Sequence, residues 1–103
     1  PIALIENETP VFCILTENEI FDKSLSNAIE AKSRGAKLYL ITTDEFEFDE
    51  HYFESIIKVP KVNDFFQAVV NIIPFQFIAY EVAKKKGCDI DKPKNLAKSV
   101  TVE

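Results

Sequence analysis

The sequence contains no tryptophan and no methionine, and it has only two glycines, two cysteines and one histidine. Each shortage excludes something. Gly35 and Gly87 stand alone, outside any GxGxxG or P-loop frame, so no glycine-rich loop is available to cradle a nucleotide phosphate. Cys13 and Cys88 are too few for a disulfide framework, and a cysteine inside an apolar strand is ordinarily a small hydrophobe. His51 has no ligand partner at the spacing of a short metal motif, so no metal site is expected. Cations are in deficit too. Lys and Arg number 12 against 17 acids, a net charge of -5, which argues against nucleic acid as a partner. With no charged-then-apolar leader and no apolar run of membrane length, the expectation is a cytoplasmic protein without a membrane partner. The chain opens on Pro1 rather than methionine, which suggests a piece of something longer.

What is present is apolar and patterned. Hydrophobic residues make up 47% of 103 positions, enough for one domain and too many for a disordered chain. Pro1 and Ile2–Ile5 suggest a short helical turn, since proline is pre-organised for a helix start. Val11-Phe12-Cys13-Ile14-Leu15-Thr16 is a continuous apolar run entered through Pro10, the pattern of a strand covered on both faces. From Asn18 to Arg34, Ile20, Phe21, Leu25, Ala28, Ile29 and Ala31 recur at helical spacing, and Gly35 supplies the stop. Lys37 to Thr42 is a second apolar strand, so strand, helix and strand form a βαβ unit with parallel strands.

Residues 43 to 54 read as an acidic surface loop with one helical turn, its aromatics Phe46, Phe48, Tyr52 and Phe53 tucked against the core. Ser55 to Val59 is a third short strand. A long helical pattern then runs to Lys86, and Pro74 inside it predicts a kink or two abutting helices. The fold class that follows is α/β: a three-layer αβα sandwich on a parallel sheet of three strands. That is small for the architecture, and the apolar first strand at an edge calls for a neighbour.

Few residues declare chemistry. Thr16 and the run Thr42-Thr43-Asp44 sit at the carboxyl ends of parallel strands, where ligands of open α/β sheets bind. Capping of the following turns is the ordinary role for such residues, favoured for Asp44, with Thr16 kept as a candidate. A phospho-receiver domain is excluded because no pair of acids precedes the first strand. In the last sixteen residues Lys98 lies between small residues, and a lysine amine attacks carbonyls once burial or nearby cations lower its pKa.

The order of that terminal segment is distinctive. Asp89, Asp91, Pro93 and Asn95 through Glu103 resemble the carboxyl terminus of the isomerising glutamine–fructose-6-phosphate aminotransferases, with Lys94 where the family usually has arginine. The resemblance extends through Ile73-Pro74-Phe75-Gln76, Ala79-Tyr80 and Lys86-Gly87, and reaches Pro1 to Ile5. It implies a flavodoxin-like sugar isomerase (SIS) domain. Residues 1–87 would be the C-terminal part of the second such domain and 88–103 an active-site tail. The parent enzyme makes glucosamine 6-phosphate and glutamate from fructose 6-phosphate and glutamine, without a cofactor. By the same resemblance Lys98 is catalytic, as the amine that opens the sugar and forms a Schiff base at C2, and Ala97 approaches the substrate. The implied partners are fructose 6-phosphate or glucosamine 6-phosphate, the rest of the parent chain, and a second copy in a homodimer. The family's catalytic histidine, enolisation glutamate and phosphate-binding loops would lie upstream, leaving these residues inactive alone. The alternatives are a non-catalytic SIS module that binds a sugar phosphate, and another SIS enzyme such as a sugar-phosphate deglycase.

Overall fold

A computed structural model describes residues 2–92. Its centre is a sheet of three parallel strands, β1 (Pro10–Leu15), β2 (Lys37–Thr42) and β3 (Ser55–Lys58), in the order β1-β2-β3. Val11 lies opposite Leu38 and Leu15 opposite Thr42 on one side of β2, and Tyr39 opposite Ser55 on the other. The expected α/β class and the parallel pairing are both found.

Helix α1 (Phe21–Ser33) joins β1 to β2 and covers one face of the sheet. Phe21, Ala28 and Ala31 are buried against Leu15, Leu38 and Leu40, at the spacing that puts them on one helix face. Ile20, assigned to the same apolar stripe from sequence, is exposed, because it lies in a separate 3-10 turn, Asn18–Ile20. Gly35 closes the connection with φ of 99°. A Cβ there would also come within 3.0 Å of the Asn7 Cα, so the position favours glycine on two counts. The Glu8 amide donates to the Gly35 carbonyl at 2.8 Å, and Lys37 pairs with the Glu8 carboxylate at 2.9 Å.

The acidic segment behaves as its aromatics suggested. Phe46 stacks on Phe21 with ring centroids 4.1 Å apart, and Phe48 meets Phe53 edge-on at 5.7 Å. One 3-10 turn, Glu50–Tyr52, interrupts the loop, and the Lys32 amine donates to the Tyr52 carbonyl. The acids stay at the surface while the rings extend the core.

Three expectations need correction. β2 is well covered, but in β1 Phe12 and Ile14 remain 41% and 46% exposed, so its continuous apolar run does not mean cover on both faces in this chain. They point to the sheet face opposite α1, where Phe12 stacks on Tyr39 at 5.0 Å. Of the two outcomes Pro74 predicted, a kink or two abutting helices, the second is not found. α2 (Asp64–Lys85) runs unbroken through it, since a single missing donor is tolerated where the other ladder bonds survive. α2 also corrects the absence of a membrane-length apolar stretch: by length and composition alone its 22 residues suffice to cross a bilayer. Its only buried side chains are nevertheless polar, Gln67 and Asn71, and Asn71 is bonded to the end of β1.

The chain divides between Ile72 and Ile73 into two compact units. The first holds the sheet, α1 and the opening turns of α2. The second begins within α2 and includes its end, where Gly87 at φ of 69° closes the helix and the Cys88 amide donates to the Ala83 carbonyl at 3.0 Å.

Candidate functional site

Parallel strands bring their carboxyl ends to one rim, and that rim is where an open α/β sheet offers a site. Thr16, the residue after β1, is buried at 3% exposure. Its hydroxyl accepts a hydrogen bond from the Asn71 side-chain amide at 2.8 Å, and its carbonyl accepts from the Lys61 amine at 3.4 Å. Thr42 turns its hydroxyl onto the Leu15 carbonyl at 2.7 Å, tying the end of β2 to the end of β1. Both threonines are thus engaged in holding the rim together.

Thr43 is different. Its side chain is buried, and its hydroxyl oxygen has no hydrogen-bond partner. A buried hydroxyl left in that state costs on the order of 1–3 kcal/mol. Asp44 neither caps a helix nor enters the rim. It is exposed and pairs with Lys58 at 3.1 Å.

A cleft of 380 Å³ opens beside the rim, lined by Glu17, Asn18, Glu19, Lys61 and Asp64. Lys61 is its one cation among the described residues, held by Asp64 at 3.1 Å. Sequence reasoning did not single out Lys61, Gln67 or Asn71. The signal was there: Gln67 and Asn71 are two amides four residues apart in an otherwise apolar helical run, and such pairs share a helix face.

Two other groups are shifted by their surroundings. The Cys13 thiol is pushed up by burial. Asp49 is held below the usual carboxylate range, chiefly by its hydrogen bond with the His51 side chain and also by the His51 amide. That His51 side chain also stacks obliquely on Tyr52, with ring centroids 4.3 Å apart. No cluster of three or more metal-ligating side chains occurs among the described residues. Lys98 and Ala97, the two residues singled out by resemblance, lie outside the described residues.

No family model matches the chain. Curated relatives do. An isomerising glutamine–fructose-6-phosphate aminotransferase of Clostridium acetobutylicum is 47% identical over 102 residues, covering 99% of this chain and 17% of the relative. The same enzyme of Thermosynechococcus vestitus is 42% identical over 103 residues, covering 100% of this chain and 16% of the relative. Among solved structures, the C-terminal domain of glucosamine-fructose-6-phosphate aminotransferase from Francisella tularensis matches with a TM-score of 0.78 at 33% identity. The match takes in 89% of this chain and 26% of that one.

The chain is similar, end to end, to the C-terminal part of these aminotransferases. It spans about a sixth of the length of the curated relatives it matches. Its three parallel strands with their helices match the fold of that C-terminal domain.

Proposed function

We propose that the chain is the C-terminal part of the isomerase half of a glutamine–fructose-6-phosphate aminotransferase. The parent, on this reading, is a soluble cytoplasmic homodimer that converts fructose 6-phosphate and glutamine into glucosamine 6-phosphate and glutamate. The observation that carries it is identity of 41–47% along the whole chain to enzymes of that name, with the terminal motif Asn95 to Glu103 intact. Residues 1–87 complete the second SIS domain, and 88–103 form a tail that brings Lys98 and Ala97 to the sugar.

The chemistry assigned to Lys98 is imine formation. Its neutral amine adds to C2 of the open-chain ketose, a carbon–nitrogen bond forms, and water leaves. Ammonia, released by hydrolysis of glutamine elsewhere in the parent, then adds to the same carbon and the lysine amine departs. A carboxylate of the parent takes a proton from C1 and returns it to C2, which leaves an aldehyde and an amino group. Holding the amine against the carbonyl supplies the rate gain of proximity. Ala97 has no functional side chain, so its role is close backbone approach.

The exposed apolar residues fit a part that rests on a larger body. Phe65, Phe66, Val69 and Phe77 on α2 are 58–81% exposed, and an isolated soluble domain rarely leaves so much apolar surface bare. The rest of the parent is the partner this reading assigns to them.

Borohydride reduction of the full-length protein with fructose 6-phosphate, followed by peptide mapping, tests the assignment. A reduced sugar adduct on the Lys98 peptide, lost in Lys98→Arg, is the expected result. Full synthase activity in Lys98→Arg without any adduct would overturn it.

A further inference from the structure

The chain leaves helix α2 through two consecutive hydrogen-bonded turns. In the first, the Gly87 amide donates to the Lys84 carbonyl and the Cys88 amide to the Ala83 carbonyl, each at 3.0 Å. With Gly87 at φ of 69°, this pair of bonds is the left-handed stop that satisfies the last carbonyls of a helix. The second turn follows at once. The Asp89 side chain accepts, through Oδ1, from the Asp91 amide at 3.1 Å and from the Lys92 amide at 3.0 Å. A carboxylate that takes two amides of the following turn acts as the capping residue of a helix does, and fixes the path of the backbone across those residues.

Asp89 is exposed, so its bonds add nothing to a core. What they define is a direction. Lys98 follows Lys92, the last residue these bonds reach, by six positions, and follows Cys88, the last residue of the helix stop, by ten. Six residues of chain reach at most about 21 Å and ten about 35 Å. The volume open to a group on such a tether grows as the cube of its reach, so losing the Asp89 turn enlarges it roughly fivefold.

We propose that Asp89 is a positioning residue for Lys98. Its carboxylate sets where the chain stands as it enters the tail, and so the local concentration of the amine at the sugar carbonyl. The inference rests on the imine reading of Lys98 and adds a second residue to it, one that acts only through the backbone.

The test uses the full-length protein, with borohydride trapping in fructose 6-phosphate and synthase kinetics as the two readouts. In Asp89→Ala, both the imine trapped on the Lys98 peptide and kcat should fall by about two- to fivefold, the upper figure being the full gain in volume. KM for fructose 6-phosphate should hold, because Asp89 contributes nothing to sugar binding. Asp89→Asn keeps an Oδ1 acceptor and should restore trapping and kcat to near the native values, which a role through charge alone would not do. Native trapping and kcat in Asp89→Ala, a KM that rises in step with the fall in kcat, or no recovery in Asp89→Asn would each overturn the positioning role while leaving Lys98 its imine. A native protein that yields no Lys98 adduct would overturn the imine reading, and this inference with it.

Discussion

Thr16→Val is the most informative single change to the fold, because it removes one oxygen and almost nothing else. Valine keeps the branched shape that suits a strand end, so backbone preference and volume are nearly preserved. What is lost is the acceptor for the Asn71 amide, 2.8 Å away, in a pair only 3% and 8% exposed. The Asn71 N–H is left buried without a partner, a penalty of about 1–3 kcal/mol. Urea denaturation followed by circular dichroism should report that loss as a lower midpoint with an unchanged slope. Asn71→Leu removes the orphaned donor but takes away one acceptor of Gln67, which keeps the Pro60 carbonyl at 3.3 Å. The double variant should therefore be less destabilised than the sum of the singles, with a coupling of about 0.5–3 kcal/mol. A Thr16→Val protein within about 0.5 kcal/mol of native, or singles that simply add, would show that the Thr16–Asn71 hydrogen bond contributes nothing.

Other outcomes can be checked separately. Gly35→Ala must place a Cβ at φ of 99° and 3.0 Å from backbone, so it should cost more than the ~1 kcal/mol at which ordinary glycine replacements matter, read as a fall in Tm. Phe21→Ala should lose about 3–5 kcal/mol, because it vacates a buried site on which Phe46 is stacked. In a timed reaction with a disulfide reagent near neutral pH, exposed Cys88 should be modified well before Cys13, whose half-buried thiol is pushed up and so holds less thiolate. The Glu8 carboxyl is held low by its hydrogen bond with Lys37 and by that charge, so its stabilising contribution is present above the carboxylate range and lost as pH falls through it. Glu8→Gln should accordingly flatten the acid limb of a stability–pH curve relative to the native protein.

The sheet was legible because buried parallel strands leave an unmistakable mark. Leu38 to Ile41 is apolar without alternation, and β2 is the strand covered on both sides. The same mark misled at β1, where the run is equally apolar but two of its side chains remain exposed, since composition records what a strand is suited to and not what is beside it. Pro74 left two readings open, a kink or two abutting helices, and the unbroken α2 excludes only the second. A proline removes one donor and crowds one carbonyl, and the remaining ladder of a 22-residue helix carries the chain through. At the rim, Thr16 was correctly located from strand position, yet its hydroxyl is taken by Asn71, 55 residues away. No local pattern reveals a bond between side chains so distant in sequence. Lys98 was proposed only through likeness, because a lysine between small residues has no chemical signature of its own.

The parallel register also bears on how the chain acquires its structure. Pairing the end of β1 with β2 brings together residues 27 apart, Leu15 and Thr42, with all of α1 between them. The β2–β3 pairing closes a shorter stretch that has only the aromatic loop between its strands. Loop-closure entropy separates the two by less than ~0.6 kcal/mol, the increment for a full doubling of length. That difference is too small to set an order of events. α1, the acidic loop and all three strands share one core cluster in which Leu38 and Leu40 are the most buried residues, so neither pairing has an apolar partner that the other lacks. Both ladders should assemble around β2 in a single cooperative phase, at the moderate speed of a topology built from non-local parallel contacts.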